Sequence, residues 1–391
     1  MKAEILKHSI VNRADPEAPF RYQSWPTMCQ DEQGRLYAVS SLRLRHIDPF
    51  GAIYLYVSED GGNHWSAGRK ILDTPYDDRD PGIAYLGNGR LLLTFYYHTA
   101  GLYVENADRQ WLHWQTSDRI SDSLRVETLE RMQDGTVGCS YVCFSEDYGK
   151  TWQGADADGV VRNVKNVLTS VPVFAPHGIS PVIRTVERTD GVMIEKGSLL
   201  YVGRECYSGL PGIPVFVGTS DGKVWKQISS LNIGDLPKYW EAHGIQLTSG
   251  RLLAAFRVPG ESSALAFTTY SCYSDDGGLT WTKARKVADG APPHLLQLAN
   301  GDVVLSYSYR NYSEEPTGIR AKISRDGGKS WSEAIRLTDQ PQVKPYDDLG
   351  YPVTVELSDH TLLTVYYQHV ETDPYPSILC TKWNLDGGSA V

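Results

Sequence analysis

The sequence predicts an all-β protein: a six-bladed β-propeller built from four-stranded antiparallel blades. Three observations support this fold class, namely a repeated turn motif, a repeated strand motif, and a composition rich in turn-forming and aromatic residues. The chain contains 36 Gly, 24 Tyr and 10 Trp among 391 residues, which suits many short strands joined by turns. No linker or low-complexity segment interrupts the chain, so we expect residues 1–391 to form one propeller domain.

The turn motif has the form Ser-x-Asp-x-Gly-x-(Ser/Thr/His)-Trp. Its Asp can cap backbone N–H groups and its Gly accepts a positive φ, so each copy predicts a tight turn. The closing Trp can pack into a hydrophobic layer beside that turn. The copies are Ser58–Trp65, Ser145–Trp152, Ser274–Trp281 and Ser324–Trp331, with a weaker version at Thr219–Trp225.

The strand motif is a short run of aromatic and β-branched residues that follows a glycine turn. A turn motif comes after most of these runs, so each strand–turn pair is interpreted as one blade of four strands, and six pairs predict six blades. The runs begin at Gly34, Gly89, Gly197, Gly250, Gly301 and His360, where His replaces Gly.

The interval between Gly89 and Gly197 is longer than the others. Only one complete turn motif falls inside it, which favours an insertion in the second blade, at about residues 100–135, over a seventh blade. Within it, residues 121–134 space their apolar side chains as a helix does and predict a short helix. To close the ring, residues 4–11 are expected to pair as a strand with residues 377–385.

Composition limits the function. The formal net charge is −9, which argues against a nucleic-acid partner, and no apolar run is long enough to span a membrane. Residues 1–19 lack the apolar core of a secretory signal, so a cytoplasmic location is expected, or a secreted or periplasmic one if a signal was trimmed. The six cysteines include no CxxC pair, which favours buried thiols over a zinc site.

With the glycine turns aligned, the whole chain resembles the sialidase (neuraminidase) superfamily of BNR-repeat proteins, in which the turn motif is called an Asp-box. Glu241 lies nine residues before a strand glycine and Arg257 seven residues after it, as in that family. Arg320 precedes the last Asp-box as the family's third carboxylate-binding arginine does. Tyr351 matches the family's tyrosine segment, and Asp48 lies where the family has its acid/base Asp.

The resemblance implies a retaining exo-glycosidase that releases a terminal acidic sugar, sialic acid or a related nonulosonic acid, without a cofactor. Tyr351 would be the nucleophile, Glu241 its base and Asp48 the acid/base, while Arg257 and Arg320 would bind the substrate carboxylate. A neutral tyrosine suits a sugar that carries a carboxylate at its anomeric carbon. A carboxylate nucleophile 4 Å away would be repelled by about 1 kcal/mol in water and about 4 kcal/mol at an effective dielectric of 20.

One position departs from the family pattern. Ser24 stands where sialidases carry the first of their three carboxylate-binding arginines. Arg43, at the end of the same blade's strand motif, and Arg79, at the start of the second blade, are candidates to supply the missing charge. Arg21 is a poor substitute because neighbouring strand positions face opposite sides. A tryptophan, Trp240 or Trp25, would stack on the sugar ring.

Two other functions stay open. The same propeller could be a uronate-directed polysaccharide lyase or glycosidase, with His177 or His243 moving the proton and arginines neutralising the uronate. It could also be a non-catalytic propeller that binds glycans, which the loss of the first arginine favours. Tyr346 competes with Tyr351 for the nucleophile role. The sequence does not predict the sugar, the linkage or the oligomeric state.

Overall fold

Strands form almost all of the regular structure in this computed structural model. It describes residues 2–44, 46, 50–74, 77–98, 139–162, 169–170, 185–187, 191–194, 198–207, 210–219, 226–230, 240–260, 267–310, 316–340 and 348–385. The predicted insertion at residues 100–135, with its helix, lies outside the described residues. No helix in the described ranges is long and apolar enough to cross a membrane.

The regular blades are four-stranded antiparallel sheets in which each strand pairs with the next along the chain. The first blade contains β2 (Tyr22–Gln30), β3 (Leu36–Arg43), β4 (Ala52–Ser58) and β5 (Arg69–Leu72). The second contains β6 (Asp77–Gly87), β7 (Arg90–His98), β8 (Cys139–Ser145) and β9 (Thr169–Ser170). The third contains β15 (Trp240–Gln246), β16 (Leu252–Pro259), β17 (Phe267–Ser274) and β18 (Arg285–Ala288). The fourth contains β19 (Pro293–Gln297), β20 (Val303–Tyr309), β21 (Gly318–Ser324) and β22 (Ile335–Arg336).

The closing blade joins the two ends of the chain. It contains β23 (Gly350–Glu356), β24 (Leu362–His369), β25 (Pro376–Leu385) and β1 (Ala3–Asn12). β1 pairs antiparallel with β25, with Glu4 opposite Asn384 and Ile10 opposite Leu379. The predicted closure of the ring by residues 4–11 and 377–385 is therefore confirmed.

The prediction of six four-stranded blades is wrong. Five sheets are four-stranded blades, and a further sheet in the described residues has five strands: β10 (Thr185–Glu187), β11 (Gly191–Ile194), β12 (Ser198–Tyr207), β13 (Leu210–Thr219) and β14 (Lys226–Ser230). β10 and β11 pair with two successive stretches of the same strand, β12, and the register shifts by one residue between them. Counting strand–turn pairs in the sequence does not reveal that two short strands, β10 and β11, share one edge of this sheet.

The first strands of the blades face the axis of the propeller. β2 contacts β6 and β23, and β19 contacts β15 and β23, so these strands meet across blade boundaries. The five-stranded sheet lies between the second and third blades, where β11 contacts β6 and β15. Side chains on the first strands of different blades are thereby brought to one central region.

The four complete turn motifs form as predicted, at the turn after the third strand of a blade. The weaker version at Thr219–Trp225 falls outside the described residues after Thr219. In the third blade, Asp276 accepts hydrogen bonds from the backbone N–H of Thr280 (2.9 Å) and from its hydroxyl (2.5 Å). Ser274 donates to Asp276 (2.7 Å) and accepts from the N–H of Gly278 (2.9 Å). The hydrogen bonds from the Thr280 side chain, then its backbone, lower the pKa of Asp276 to about 2.

Cysteines whose side chains are described are free thiols, and Cys143, Cys272 and Cys380 are buried. Burial raises the pKa of Cys143 and Cys272 to about 12. These side chains pack in the hydrophobic layers of their blades, as expected for small apolar residues.

Candidate active site

In four blades, the first strand contains one residue whose backbone lies in the left-handed region. This residue has the same position relative to the pairing with the second strand in each blade. These residues are Trp25 (φ 53°), Asp80 (φ 45°), Glu241 (φ 46°) and Tyr351 (φ 52°). Each lies within a β-bulge, where the pairing register with the second strand shifts. A bulge changes the direction in which a side chain points. A non-glycine residue in the left-handed region costs on the order of 1–3 kcal/mol of folding free energy, and such residues concentrate at functional sites. Sequence reasoning identified Glu241 and Tyr351 as catalytic candidates but missed Asp80.

Glu241 joins Tyr351 and Arg257. The Tyr351 hydroxyl donates a hydrogen bond to Glu241 Oε1, and Arg257 Nη1 lies 2.7 Å from Glu241 Oε2. Arg257 is placed by β16, where it pairs with Trp240 of β15. Tyr351 is only 5% exposed. The structure therefore brings together three of the residues that the family spacing selects, and the carboxylate is positioned to accept the phenolic proton.

Two arginines pack against Trp25. The guanidinium carbon of Arg43 lies 4.5 Å from the Trp25 ring centroid, and that of Arg79 lies 4.3 Å from it. Arg43 is fully buried and forms an ion pair with Asp77, and Arg79 Nη1 lies 3.6 Å from the same carboxylate. Arg43 thus holds the first blade to the second, whereas the partly exposed Arg79 side chain can contact a ligand.

Arg320 has a different environment from the one that the family resemblance implied. It lies on β21, the third strand of its blade, and is buried. Its guanidinium donates to the carbonyl oxygens of Thr338 (2.6 Å) and Pro316 (2.8 Å), and lies 3.2 Å from Asp339. These contacts tie β21 to the segments beside it, so Arg320 is engaged within the fourth blade.

Arg310 is the arginine of the fourth blade that reaches Tyr351's own strand. It follows the end of β20 and donates to the backbone carbonyl of Leu349, two residues before Tyr351. Its Nη2 also lies 3.4 Å from the hydroxyl of Tyr367 and 3.9 Å from Asp348. The sequence analysis missed this residue.

A sequence signal for Arg310 does exist. Arg310 comes nine residues after Gly301, and Arg43 comes nine residues after Gly34. Both are strand glycines of the repeat, so the same interval marks the end of the second strand in two blades. The family interval that selects Arg257 is seven residues after the strand glycine, so it does not select Arg310.

His46 and Asp348 form a second polar group beside Trp25. Asp348 Oδ2 lies 2.7 Å from His46 Nδ1, and the hydroxyl of Tyr22 lies 2.9 Å from the same nitrogen. The hydroxyl of Tyr367 donates to Asp348 Oδ1 at 2.6 Å. The His46 ring stands edge-on to Trp25, with the centroids 5.3 Å apart. His46 was another residue that sequence reasoning missed, although it lies two positions before Asp48 in the sequence.

Burial perturbs both groups of this pair. It raises the pKa of Asp348 to about 7, against the opposing effect of the hydrogen bond from Tyr367. It also lowers the pKa of His46 well below its usual value, and nearby positive charges lower it further. In order of their effect, these charges are those of Arg79, Arg310, Arg43 and Arg257. The imidazole therefore lies within a strongly cationic environment.

Some sequence candidates lie outside the described residues. They are Asp48, His177, Tyr346 and the side chain of Trp240. Ser24 is fully buried on β2, and Arg21 stacks on Tyr375, with its guanidinium carbon 4.4 Å from the ring centroid.

His243 serves as a contact between blades. Its ring is buried, and Nδ1 accepts a hydrogen bond from the backbone N–H of Leu295 (3.1 Å) on the first strand of the next blade. The rings of His243 and His294 lie 4.3 Å apart. The hydrogen bond from Leu295 and the packing against His294 explain why a histidine lies at this position. The structure therefore does not favour His243 as a proton donor to substrate.

The arrangement suits a small anionic ligand. Guanidinium groups bind carboxylates through paired hydrogen bonds, and the phenol–carboxylate pair provides a nucleophile with an adjacent base. Among the described residues, no cluster of three His, Cys, Asp or Glu side chains is arranged to hold a metal ion.

The model of the BNR repeat-like domain matches residues 131–365, more than half of the chain. No curated protein sequence that was compared matches it.

Several solved structures share the fold. A protein of unknown function from Dyadobacter fermentans is 20% identical with a TM-score of 0.70, and the match covers 98% of this chain and 99% of that one. The NanB sialidase from Streptococcus pneumoniae is 12% identical with a TM-score of 0.64, over 97% of this chain and 70% of that one. The Trypanosoma rangeli sialidase, solved with sialic acid, is 13% identical with a TM-score of 0.59, over 97% and 58%. At these identities the likeness establishes the fold alone.

Proposed function

The chain belongs to the BNR repeat-like domain family, and on that premise we propose that it is a retaining exo-glycosidase of the sialidase type. Its substrate would be a terminal acidic sugar, sialic acid or a related nonulosonic acid, on an oligosaccharide or glycoconjugate. One observation carries the proposal: the Tyr351 hydroxyl donates to Glu241, whose second oxygen is 2.7 Å from Arg257.

The chemistry follows from this contact. Tyr351 attacks the anomeric carbon while Glu241 takes its proton, which forms a tyrosyl–sugar bond and breaks the glycosidic bond. The contact with Arg257 orients the Glu241 carboxylate, whose other oxygen faces the phenol. By family resemblance, delivery of a proton to the leaving oxygen falls to Asp48.

Arginines would hold the carboxylate of the sugar. Arg257 and Arg310 flank Tyr351 from the third and fourth blades. Arg79 stacks on Trp25, the residue after Ser24, and so brings a guanidinium to the region where sialidases place their first arginine. We assign Arg79 to that role, because the side chain of Arg43 is fully buried.

A screen of 4-methylumbelliferyl glycosides tests the proposal. The panel should include N-acetylneuraminic acid, its deaminated analogue, and uronic acids. We expect the wild-type protein to release the fluorophore from at least one nonulosonic acid, and Tyr351→Phe to lose at least about 10³-fold in kcat. The proposal is overturned if none of the acidic glycosides is hydrolysed, or if Tyr351→Phe keeps undiminished activity.

The chain offers a matched control for this substitution. The hydroxyl of Tyr148 also donates to a carboxylate, Glu32, at 2.9 Å, and Tyr148 also has a left-handed backbone (φ 61°). It lies in a turn motif of the second blade. Tyr148→Phe is expected to keep wild-type activity.

The contact that His46 and Tyr351 share with Trp25 favours a second candidate, a uronate-directed lyase. Both rings contact Trp25, with centroids 5.3 Å and 6.3 Å away, among arginines that could neutralise a uronate. One ring would abstract the proton beside the carboxylate and the other would protonate the leaving oxygen. Elimination leaves a carbon–carbon double bond, so ultraviolet absorbance after incubation with uronate-capped oligosaccharides distinguishes this reaction from hydrolysis.

A further inference from the structure

We propose that His46, oriented by Asp348, is the general acid that protonates the leaving oxygen. This assignment rests on the proposed hydrolysis. It gives His46 the task that family resemblance gives to Asp48, and it makes Asp348 a positioning residue.

The geometry leaves one edge of the imidazole for substrate. Nδ1 faces Asp348 at 2.7 Å and Tyr22 at 2.9 Å, so Nε2 lies on the opposite edge of the ring. The surrounding protein desolvates the His46 ring enough to lower its pKa, yet 42% of the side chain is exposed, against 18% of that of Asp348. A carboxylate beneath an imidazole fixes its tautomer and orientation and stabilises its protonated form.

The acid and the nucleophile are held by one short segment of the closing blade. Asp348 comes three residues before Tyr351. Asp348 also accepts from the hydroxyl of Tyr367 at 2.6 Å, and the ring of Tyr367 lies 6.0 Å from that of Tyr351. His46 and Tyr351 both make edge contacts with the indole of Trp25. The segment thus fixes the distance between the group that attacks and the group that protonates.

The charges around His46 couple its protonation to the substrate. The charged and titratable groups that face it are Arg43 on β3, Arg79 on β6, Arg257 on β16, Arg310 after β20, Asp348 before β23 and Tyr22 on β2. Burial and the four arginines lower the pKa of His46 in the free protein. A bound sugar carboxylate offsets those positive charges and raises that pKa, so the imidazole gains its proton when substrate is present.

Protons and bonds balance in both halves of the reaction. In the first half, Nε2 gives its proton to the glycosidic oxygen as that bond breaks, and the Tyr351 proton passes to Glu241. In the second half, water attacks the anomeric carbon and gives a proton to the neutral His46. The bond to the tyrosyl oxygen breaks as the bond to water forms, and the tyrosyl oxygen recovers its proton from Glu241, which restores every group to its starting state.

Leaving-group dependence tests the assignment. His46→Gln should be compared with wild type on a 4-methylumbelliferyl glycoside and on a lactose-linked glycoside of the same nonulosonic acid. The aryl group leaves readily without a proton, whereas the sugar alkoxide does not. We expect kcat/KM to fall by about 10²–10⁴-fold on the lactose-linked substrate and by less than about 10-fold on the aryl one.

The matched control is His64→Gln. His64 also pairs with an aspartate, its Nδ1 lying 2.6 Å from Asp60 Oδ2, but it is 89% exposed in a turn motif. It should behave as wild type on both substrates. Thermal melting of both variants checks that the fold is intact.

The pH profile gives a second readout that a merely structural role would not move. Asp348→Asn should shift the alkaline limb of kcat, which reports the substrate complex, to lower pH, because the imidazolium that forms there loses its carboxylate partner. The His46 assignment is overturned if His46→Gln loses kcat/KM equally on both substrates, or loses it on neither. In that case Tyr351→Phe would still be inactive, and the proposed function would stand. If the wild-type protein hydrolyses no acidic glycoside, the proposed function fails and the His46 assignment with it.

Discussion

Glu241 is the residue that organises the candidate site. One of its oxygens accepts a hydrogen bond from Tyr351, and the other pairs with Arg257. Its backbone is left-handed, a conformation that is unfavourable for a side chain with a Cβ. The bulge that imposes this conformation also turns the carboxylate toward Tyr351 on another blade. Local strain is therefore coupled to the contact on which the proposed chemistry depends.

At the same scale, Asp348 is expected to destabilise the fold when it ionises. Its pKa rises from 3.8 to about 7 on folding because of burial. The native state therefore binds this proton more tightly than the unfolded state, and the stability gained below about pH 4 is lost as the pH rises to about 7. Asp348→Asn stays neutral, so it should melt a few degrees above wild type at pH 8, and the difference should vanish toward pH 4.

Differential scanning fluorimetry across this pH range measures the difference. Asp289→Asn is the control, because that carboxylate is 55% exposed and pairs with Lys286. It should show no such trend. A lower melting temperature for Asp348→Asn at pH 8 would instead mean that His46 and Arg310 stabilise the ionised carboxylate.

At the scale of the element, the turn motif is also a contact between blades. A Cβ added to Gly328 would lie 2.5 Å from Leu253 Cδ1, on the second strand of the preceding blade. A Cβ added to the equivalent Gly62 of the first blade would lie 2.6 Å from Leu363 Cδ2 of the closing blade. The motif's glycine thus allows a tight turn and also lets a neighbouring leucine pack against the backbone.

This contact predicts unequal costs for two substitutions that both place alanine at a positive φ. Gly328→Ala (φ 87°) must displace Leu253, whereas Gly277→Ala (φ 73°) meets open space. We expect Gly328→Ala to lose about 1–3 kcal/mol more in free energy of unfolding. Urea denaturation measures both, and kcat should not change because neither residue lies near Tyr351. Equal losses would contradict the packing role.

The repeats predicted those parts of the site that depend on position within a blade. Glu241, Arg257 and Tyr351 lie at fixed intervals from the strand turns, and the structure brings them together. Arg310 shares a repeat interval with Arg43, but its contact with the segment before Tyr351 depends on how two blades meet. His46 lies in a loop, which no repeat specifies. Arg320 kept the expected spacing, but it lies on the third strand and is engaged within its blade.

At the scale of the molecule, closure of the ring makes a site from distant parts of the chain. β1 completes the closing blade, and the first strands then bring Trp25, Asp80, Glu241 and Tyr351 to one region. The resemblance to BNR-repeat proteins is confirmed at the level of family and fold, while the number of four-stranded blades was overestimated. The chain has a net charge of −9, yet four arginines surround His46. Such local charge favours a small anionic ligand over an extended polyanion.

The most direct test of the central claim is to trap the tyrosyl–sugar bond. A 2,3-difluorinated nonulosonic acid reacts with a nucleophile but leaves it slowly, because the fluorine next to the anomeric carbon disfavours the positively charged transition state. After incubation and proteolysis, mass spectrometry should find the fluorinated sugar on the peptide that contains Tyr351, and no adduct in Tyr351→Phe. Turnover of an acidic glycoside without any adduct on Tyr351, or an adduct on another residue, would contradict the account.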